Sequence, residues 1–364
     1  MVVNVAEERV SDTTKAHGPL FSRFLLVVAG LVVLLVIVVL AGVTVGAVPV
    51  KIRSVGSMLL QGGSLGHRSW TAAEETIVFQ IRLPRVLASA LVGGALSAAG
   101  VLFQGLFRNP LADPYVIGSQ GGAALGASIA ILLLPHFSIL GFSATASLAF
   151  IGSVLTMIVV YWLARVGGRT PIVTLLLAGF ALSTILSYST TFFMYINPQS
   201  ELATRMLITW MHGAISISEW PQIAIVAVLV VMGVILSLPL ARTLNALSMG
   251  EEYAEQLGVR VELARIGIIA VGSLLTAAAV SLGGLIGFVG LIVPHFCRLL
   301  QGPDHLRLIP TAALSGAIFL VLADTLARTV IAPSELPVGI LTAFIGGPAF
   351  LILLRRNKRE QYQA

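Results

Sequence analysis

Charge is what this sequence lacks most. Of 364 residues only 10% are Asp, Glu, Lys or Arg, against 57% that are hydrophobic, whereas a soluble domain carries nearer 25% charge. That excludes a soluble enzyme and a disordered chain, since neither tolerates so large an apolar excess. A single cysteine, Cys297, excludes an intrachain disulfide framework and argues against a structural zinc site. Lysine is nearly missing as well. Lys15, Lys51 and Lys358 follow Thr14, Val50 and Asn357, so the G-x-x-x-x-G-K-[ST] phosphate loop of an ATPase is absent. Any nucleotide hydrolysis that drives this protein must come from another chain. The formal charge of +6 would suit nucleic acid on composition alone, but basic residues at helix ends are what membrane orientation requires, and no nucleic-acid partner is expected. His136, His212, His295 and His305 are too scattered in sequence for one metal site, and no Ser/His/Asp or paired-carboxylate arrangement emerges from spacing. We expect no catalytic residue, no cofactor and no bound metal.

Long apolar runs fill the space that charge leaves. Mean hydropathy is +0.97. Runs of membrane-spanning length lie at roughly 24–48, 86–106, 115–134, 142–164, 172–193, 222–240, 266–282, 285–299, 310–327 and 338–354, each near the roughly 20 residues that a bilayer crossing needs. The expected fold is therefore an all-α membrane protein, a polytopic bundle of about ten transmembrane helices. Residues 1–22 read as a polar cytoplasmic segment, 23–354 as the membrane domain with a cytoplasmic loop at 241–265, and 355–364 as a basic cytoplasmic tail. The first run is too long for a signal-peptide core of about 7–15 residues, so it is read as an uncleaved helix. With both termini in the cytoplasm, inside segments hold fifteen arginines and lysines and outside segments seven, the split that the positive-inside rule favours. Gly118, Gly122 and Gly126 recur every fourth position, as do Gly283 and Gly287, which predicts close helix packing.

Three segments carry more than hydrophobicity. In the loop 241–265, Ser248 and Glu251 have capping-box spacing and Gly258 has the stop position of a short helix. Met249, Tyr253 and Leu257 form one apolar stripe beside Glu251, Glu252 and Glu255. An interfacial lipid-binding helix would present lysine and arginine instead, so the stripe predicts a protein partner. Arg82-Leu83-Pro84-Arg85 opens the second span. Arginines at a helix N-terminus oppose the dipole by about 0.3–1 kcal/mol each, so a role outside helix stability is expected of them, as interfacial anchors or as contacts for an acidic partner or anion. Arg108-Asn109-Pro110-Leu111-Ala112-Asp113-Pro114 reads as a tight turn in which Asp113 caps a helix begun by Pro114. Asp324 precedes Arg328 by four residues, the spacing of a helical ion pair.

Together these segments resemble the FecCD-type permeases, the membrane subunits of binding-protein-dependent ABC importers for iron siderophores, haem and cobalamin. The resemblance runs from about Phe79 to Leu354. Its motifs are Arg82 to Arg85, Asn109 to Pro114, Leu175-Leu176-Leu177-Ala178-Gly179, Gly250 to Gly258, Gly287-Phe288-Val289-Gly290-Leu291-Ile292-Val293-Pro294-His295 and Glu335-Leu336-Pro337-Val338-Gly339. It implies a type II ABC importer permease: a homodimer of ten-helix subunits in the bacterial inner membrane, with two cytoplasmic ATPase subunits and one periplasmic substrate-binding protein. By resemblance, Met249, Gly250, Glu251, Glu252, Tyr253, Ala254, Leu257 and Gly258 form the segment that couples to the ATPase. Arg82, Arg85 and Arg328 match arginines that dock the binding protein, and Asn109 and Leu111 match a segment near the cytoplasmic gate. His295 matches a histidine of structural role. Two departures stand out: the portion before the resemblance is longer than the family's usual start, and His212 stands where relatives have a small or apolar residue. With Met211, His212 is a candidate contact for a metal chelate, and with Met194 and Tyr195 it tilts the expected cargo toward haem over siderophore or cobalamin. The competing class is an ion-gradient-driven transporter or channel, which would take up substrate without ATP or a soluble binding protein.

Overall fold

The structure is a computed structural model that describes residues 18–46, 48, 50–61, 70–134, 138–139, 142–197, 201–215, 217 and 219–363. The reading of residues 1–17 as a polar segment, and the position of His136, lie outside the described residues. Among the described residues, eight helices are long and apolar enough to cross a membrane and two shorter apolar helices join them. The long ones are α1 (Gly18–Thr44), α3 (Ala72–Thr76) continuing through a π-helical stretch Ile77–Arg82 into α4 (Leu83–Leu106), α6 (Ala144–Ala164), α7 (Ile172–Ile196), α9 (Trp220–Ser248), α11 (Val261–Gly283), α13 (His305–Ala327) and α14 (Val338–Gln363). The two short ones are α5 (Ser119–Leu133) and α12 (Val289–Gln301). Three small helices, α2 (Ile52–Gln61), α8 (Glu201–Met211) and α10 (Glu251–Gln256), lie in the connections. Ten apolar helices thus correspond to the ten expected runs. The only sheet among the described residues is a two-residue hairpin, Ser138–Ile139 with Phe142–Ser143.

α4 is the spine of the bundle. Its sequence is rich in Ala, Gly and Ser, and nearly every residue from Val92 to Leu106 is buried. Small residues all round a helix let neighbours approach on every side, and α9, α11, α12 and α13 all pack against it. Each Gly93 and Gly316 approaches the other's carbonyl so closely that a Cβ at either would overlap it. The predicted glycine repeat in α5 works the same way. A Cβ at Gly122 would overlap the Gly152 carbonyl of α6, and one at Gly126 the Leu148 carbonyl. Gly118 stands just outside, in a left-handed conformation (φ 91°) that starts α5. The second expected repeat does not form. Gly283 ends α11, Gly287 has open space where a side chain would lie, and the chain between them is not helical.

α11 ends at Gly283 and Gly284 lies against Trp210, yet Gly290 already lies against Pro114 and the backbone of Gly100. Residues 285–287, between the last helical bond at Gly284 and the first at Phe288, therefore pass into the bundle as non-helical chain. The connection 107–118 does the same from the other end: after α4 it makes only a 3-10 turn, Pro114–Ile117, before Gly118 meets Gly179 of α7. The span expected from residue 115 is accordingly shorter, and Asp113 caps this turn by accepting from the Tyr115 amide at 2.9 Å, in place of a full helix.

Candidate functional site

The residues singled out in the sequence gather mostly at the two ends of the bundle. At one end, α9 runs on to Ser248, whose hydroxyl donates to the Asn245 carbonyl at 2.6 Å. The expected capping box is therefore absent, because the serine is still inside the preceding helix and bonds back along it. The break falls at Gly250 (φ 128°), and α10 is shorter than the predicted stripe. Its stop is the predicted one: Gly258 (φ 81°) donates to the Glu255 carbonyl and Val259 to that of Ala254, a Schellman closure.

Met249, Tyr253 and Leu257 are 63%, 45% and 60% exposed. They share the surface with Glu252 and Glu255. Two residues of the expected coupling set are engaged with the rest of the bundle. Ala254 is fully buried in the main core. Glu251 reaches Arg265, itself nearly buried, at 2.8 Å and Arg108 at 3.8 Å. Arg265 also binds Glu262 at 3.1 Å, and Glu262 accepts from the Thr170 hydroxyl at 2.6 Å. Sequence spacing missed this chain because Arg108 and Thr170 lie far from 251–265 along the polypeptide; the signal was four acids and two arginines crowded into that stretch, where unpaired charge is costly.

Arg108 opens the turn that holds Asn109 and Leu111. Asn109 Oδ1 accepts the Leu111 amide at 3.0 Å, and the Asn109 carbonyl accepts the Ala112 amide at 3.1 Å. The turn leads directly to Asp113 and Tyr115. The Tyr115 hydroxyl accepts the Ile286 amide at 3.3 Å, so the two non-helical segments, 107–118 and 285–287, meet. They share a cavity of about 480 Å³ with Gly179, Phe180 and Ser183 of α7. Non-helical backbone at membrane depth is tolerated only where it is buried in protein or lines a water-filled cavity. The open face of α7 continues from this cavity: Phe180, Tyr188, Phe192 and Tyr195 are between 61 and 80% exposed.

At the opposite end stand the three arginines. Arg82 is buried, and its guanidinium donates to the carbonyls of Val43 (3.2 Å), Thr44 (2.8 Å) and Val48. Arg328 is buried too. Its Nε meets Asp324 Oδ2 at 3.0 Å, the ion pair expected from spacing, and its Nη2 donates to the Gly42 carbonyl at 3.1 Å. These two side chains therefore clasp the C-terminal carbonyls of α1, an internal role that spacing did not reveal. Arg85 is the one of the three facing outward. Its Nε meets Asp324 Oδ1 at 3.0 Å and its Nη1 meets Glu335 at 2.5 Å, with half the Glu335 side chain exposed. Asp324, fully buried, thus bridges two arginines.

Near this end, Met211 and His212 line a cavity of about 440 Å³ with Leu285, Gly339, Ile340, Ala343 and Phe344. His212 Nδ1 lies 2.7 Å from the Ile208 carbonyl. A carbonyl only accepts, so Nδ1 donates to it, and in the neutral ring Nε2 is then the acceptor. Tyr195 is exposed, and Met194 packs with Met211 against Leu207, Trp210 and Leu285, but neither Met194 nor Tyr195 lines the cavity of Met211 and His212. His295 is buried with Nδ1 unpartnered, on α12.

Known proteins share this arrangement along nearly the whole chain. The model of the FecCD transport family matches residues 34–356. The cobalamin import system permease protein BtuC of Halobacterium salinarum is 41% identical over 355 residues, covering 89% of this chain and 94% of that protein. The hemin transport system permease protein HmuU of Yersinia pestis is 39% identical over 334 residues, covering 91% and 96%. A solved structure described as an inward-facing conformation of a metal-chelate type ABC transporter superposes with a TM-score of 0.76 at 32% identity, covering 90% of this chain and 98% of that one. With ten apolar helices and no phosphate loop of its own, the chain belongs to the FecCD transport family, as the membrane-spanning permease of an ABC transporter whose ATP hydrolysis resides in a separate subunit.

Proposed function

We propose that the protein imports a metal chelate or related large cofactor across a bacterial inner membrane as a homodimer, with both termini in the cytoplasm, two ATPase subunits below and a periplasmic binding protein above. The observation that carries this reading is the exposed stripe of Met249, Tyr253 and Leu257 on a segment tied through Glu251 to Arg108. A stripe of that kind needs a protein surface to cover it. Force applied there passes through Glu251 to the Asn109 and Leu111 turn, which leads to the segment 107–118 beside the cavity at α7. Closure of the ATPases on ATP would push the stripes together, and the bundle would convert that push into alternate opening of the two pathway ends. The open face of α7 supports a pathway between two subunits, since its aromatic residues are otherwise uncovered.

Binding-protein docking centres on Arg85, with Arg82 and Arg328 holding the platform from beneath. The cargo is a tetrapyrrole or iron chelate, with haem favoured. Met211 and the Nε2 of His212 at one cavity rim offer soft and imidazole donors to an approaching iron. The relatives named for cobalamin and hemin support the class of cargo and do not choose between its members.

The test is uptake into vesicles. Labelled haem, cobalamin and ferric siderophore are presented with and without ATP, the ATPase and the binding protein. Accumulation that proceeds without ATP, or with the ATPase omitted, refutes the proposal. Unchanged haem uptake by His212→Ala removes the haem preference and leaves the permease reading standing.

A further inference from the structure

A second surface lies between α6 and α11. α6 and α11 pack side by side and leave between them a groove of about 550 Å³, lined by Phe150, Met157, Tyr161, Ile266, Ala270 and Ser273 among others. The Ser273 hydroxyl on its wall is occupied, donating to the Ile269 carbonyl at 2.5 Å. Apart from the Tyr161 hydroxyl, which is buried without a hydrogen-bond partner, the groove wall is apolar, and Ile158 and Ile266 at its edge are exposed.

Length says what fits. On α6 the lining runs from Phe150 to Tyr161, about 16 Å at 1.5 Å per residue. That is roughly half of a hydrocarbon core about 30 Å thick, the depth of one leaflet. The groove also ends at charge. One turn beyond Tyr161 stands Arg165, and six residues before Ile266 stands Arg260. The bonds from Thr170 to Glu262 hold the loop containing Arg165 and Arg169 against the start of α11, which follows Arg260. All three arginines are exposed, and among the described residues none is in an ion pair, whereas Arg265 nearby is engaged by two glutamates.

We infer that this groove binds an anionic phospholipid, its acyl chain between α6 and α11 and its phosphate on Arg165, Arg169 and Arg260. An apolar slot of one-leaflet depth with basic groups at its interfacial mouth matches that molecule at both ends. The ATPase is the less suitable partner for these arginines, because a surface complementary to Glu252 and Glu255 is basic and would repel them.

The experiment uses the purified full chain in detergent, titrated with phosphatidylglycerol or phosphatidylcholine of equal chain length and read by native mass spectrometry. Retention of phosphatidylglycerol over phosphatidylcholine is expected for the natural protein. R165Q/R169Q/R260Q should lower phosphatidylglycerol affinity on the order of a hundredfold, three interfacial charges acting together. The corresponding lysine variant should retain binding. Ala270→Trp, a change at an exposed groove residue, should fill the slot and displace the lipid with all three arginines intact. Equal retention by the glutamine variant, or by Ala270→Trp with its size-exclusion profile unchanged, overturns the inference. So does a glutamine variant that keeps its lipid but no longer binds the ATPase, which would assign the arginines to that partner.

Discussion

Replacing Met249, Tyr253 and Leu257 by serine tests the coupling reading at its centre. Fully burying a large apolar side chain contributes about 1.5–3 kcal/mol. Scaling that by the 63%, 45% and 60% exposure of the three residues gives about 2.5–5 kcal/mol for covering one stripe. The triple variant should therefore bind the ATPase subunit roughly 70-fold to several-thousand-fold more weakly. The permease itself should be unharmed, since none of the three is in the core and the Gly250 and Gly258 turns remain. The assay is a titration of fluorescent ATPase subunit onto detergent-solubilised permease, beside a thermal unfolding trace of each variant. Affinity within a factor of about two of the natural protein, with intact folding, would refute the reasoning.

Asp324→Asn should destabilise the fold by about 3–5 kcal/mol, because it leaves two arginines facing each other around a buried site with their shared counter-charge gone; thermal unfolding in detergent measures it, and a loss below about 1 kcal/mol would show the triad to be solvated. Glu251→Gln should behave differently. Its carboxylate is half exposed and Arg265 keeps Glu262, so stability should fall by no more than about 1 kcal/mol, while ATPase binding persists and cargo moved per ATP drops. Unchanged coupling would remove the link to Arg108 from the mechanism. Gly126→Val drives a side chain into the Leu148 carbonyl of α6, where backbone cannot yield. A loss of at least about 1–3 kcal/mol is expected, read as poor recovery of monodisperse protein, and a variant as stable as the parent would contradict the close packing.

The ten apolar helices were legible because hydropathy reports on burial in lipid, whatever the tertiary contacts are. Boundaries were less legible where the chain enters the bundle without being helical. Residues 285–299 and 115–134 read as spans because they are apolar, but apolarity is equally demanded of irregular backbone packed inside protein, and the helices begin only at Val289 and Ser119. Local pairs came through: the Asp324 to Arg328 spacing and the Gly258 stop need only neighbours in sequence. Ser248 shows the limit of that method, since the spacing of a capping box cannot say whether the serine stands before a helix or at the end of the previous one. The arginines show a further limit. Pattern marks Arg82, Arg85 and Arg328 alike, and only three-dimensional placement separates two that bind α1 carbonyls from one that faces outward.

That separation bears on how the two ends communicate. Arg85 lies at the start of α4 and Arg108 just past its end, so the outer ion cluster and the Glu251 link are joined by one helix of 24 residues, about 36 Å long. α4 is buried along most of that length, and Gly93 and Gly100 bring it into backbone contact with α13 and α12. A helix held so closely cannot bend to absorb a displacement, and packed contacts of this kind change by switching between arrangements. In the proposed mechanism, a push at α10 then reaches the Arg85 end as a rigid movement of α4 with its neighbours. Crosslinking α4 to α13 through cysteines at Ser97 and Ala313, which flank the Gly93 and Gly316 contact, should leave transport intact because both helices belong to the moving body. Loss of transport on crosslinking, with ATPase binding preserved, would mean that α4 and α13 slide past each other and that the spine is a hinge.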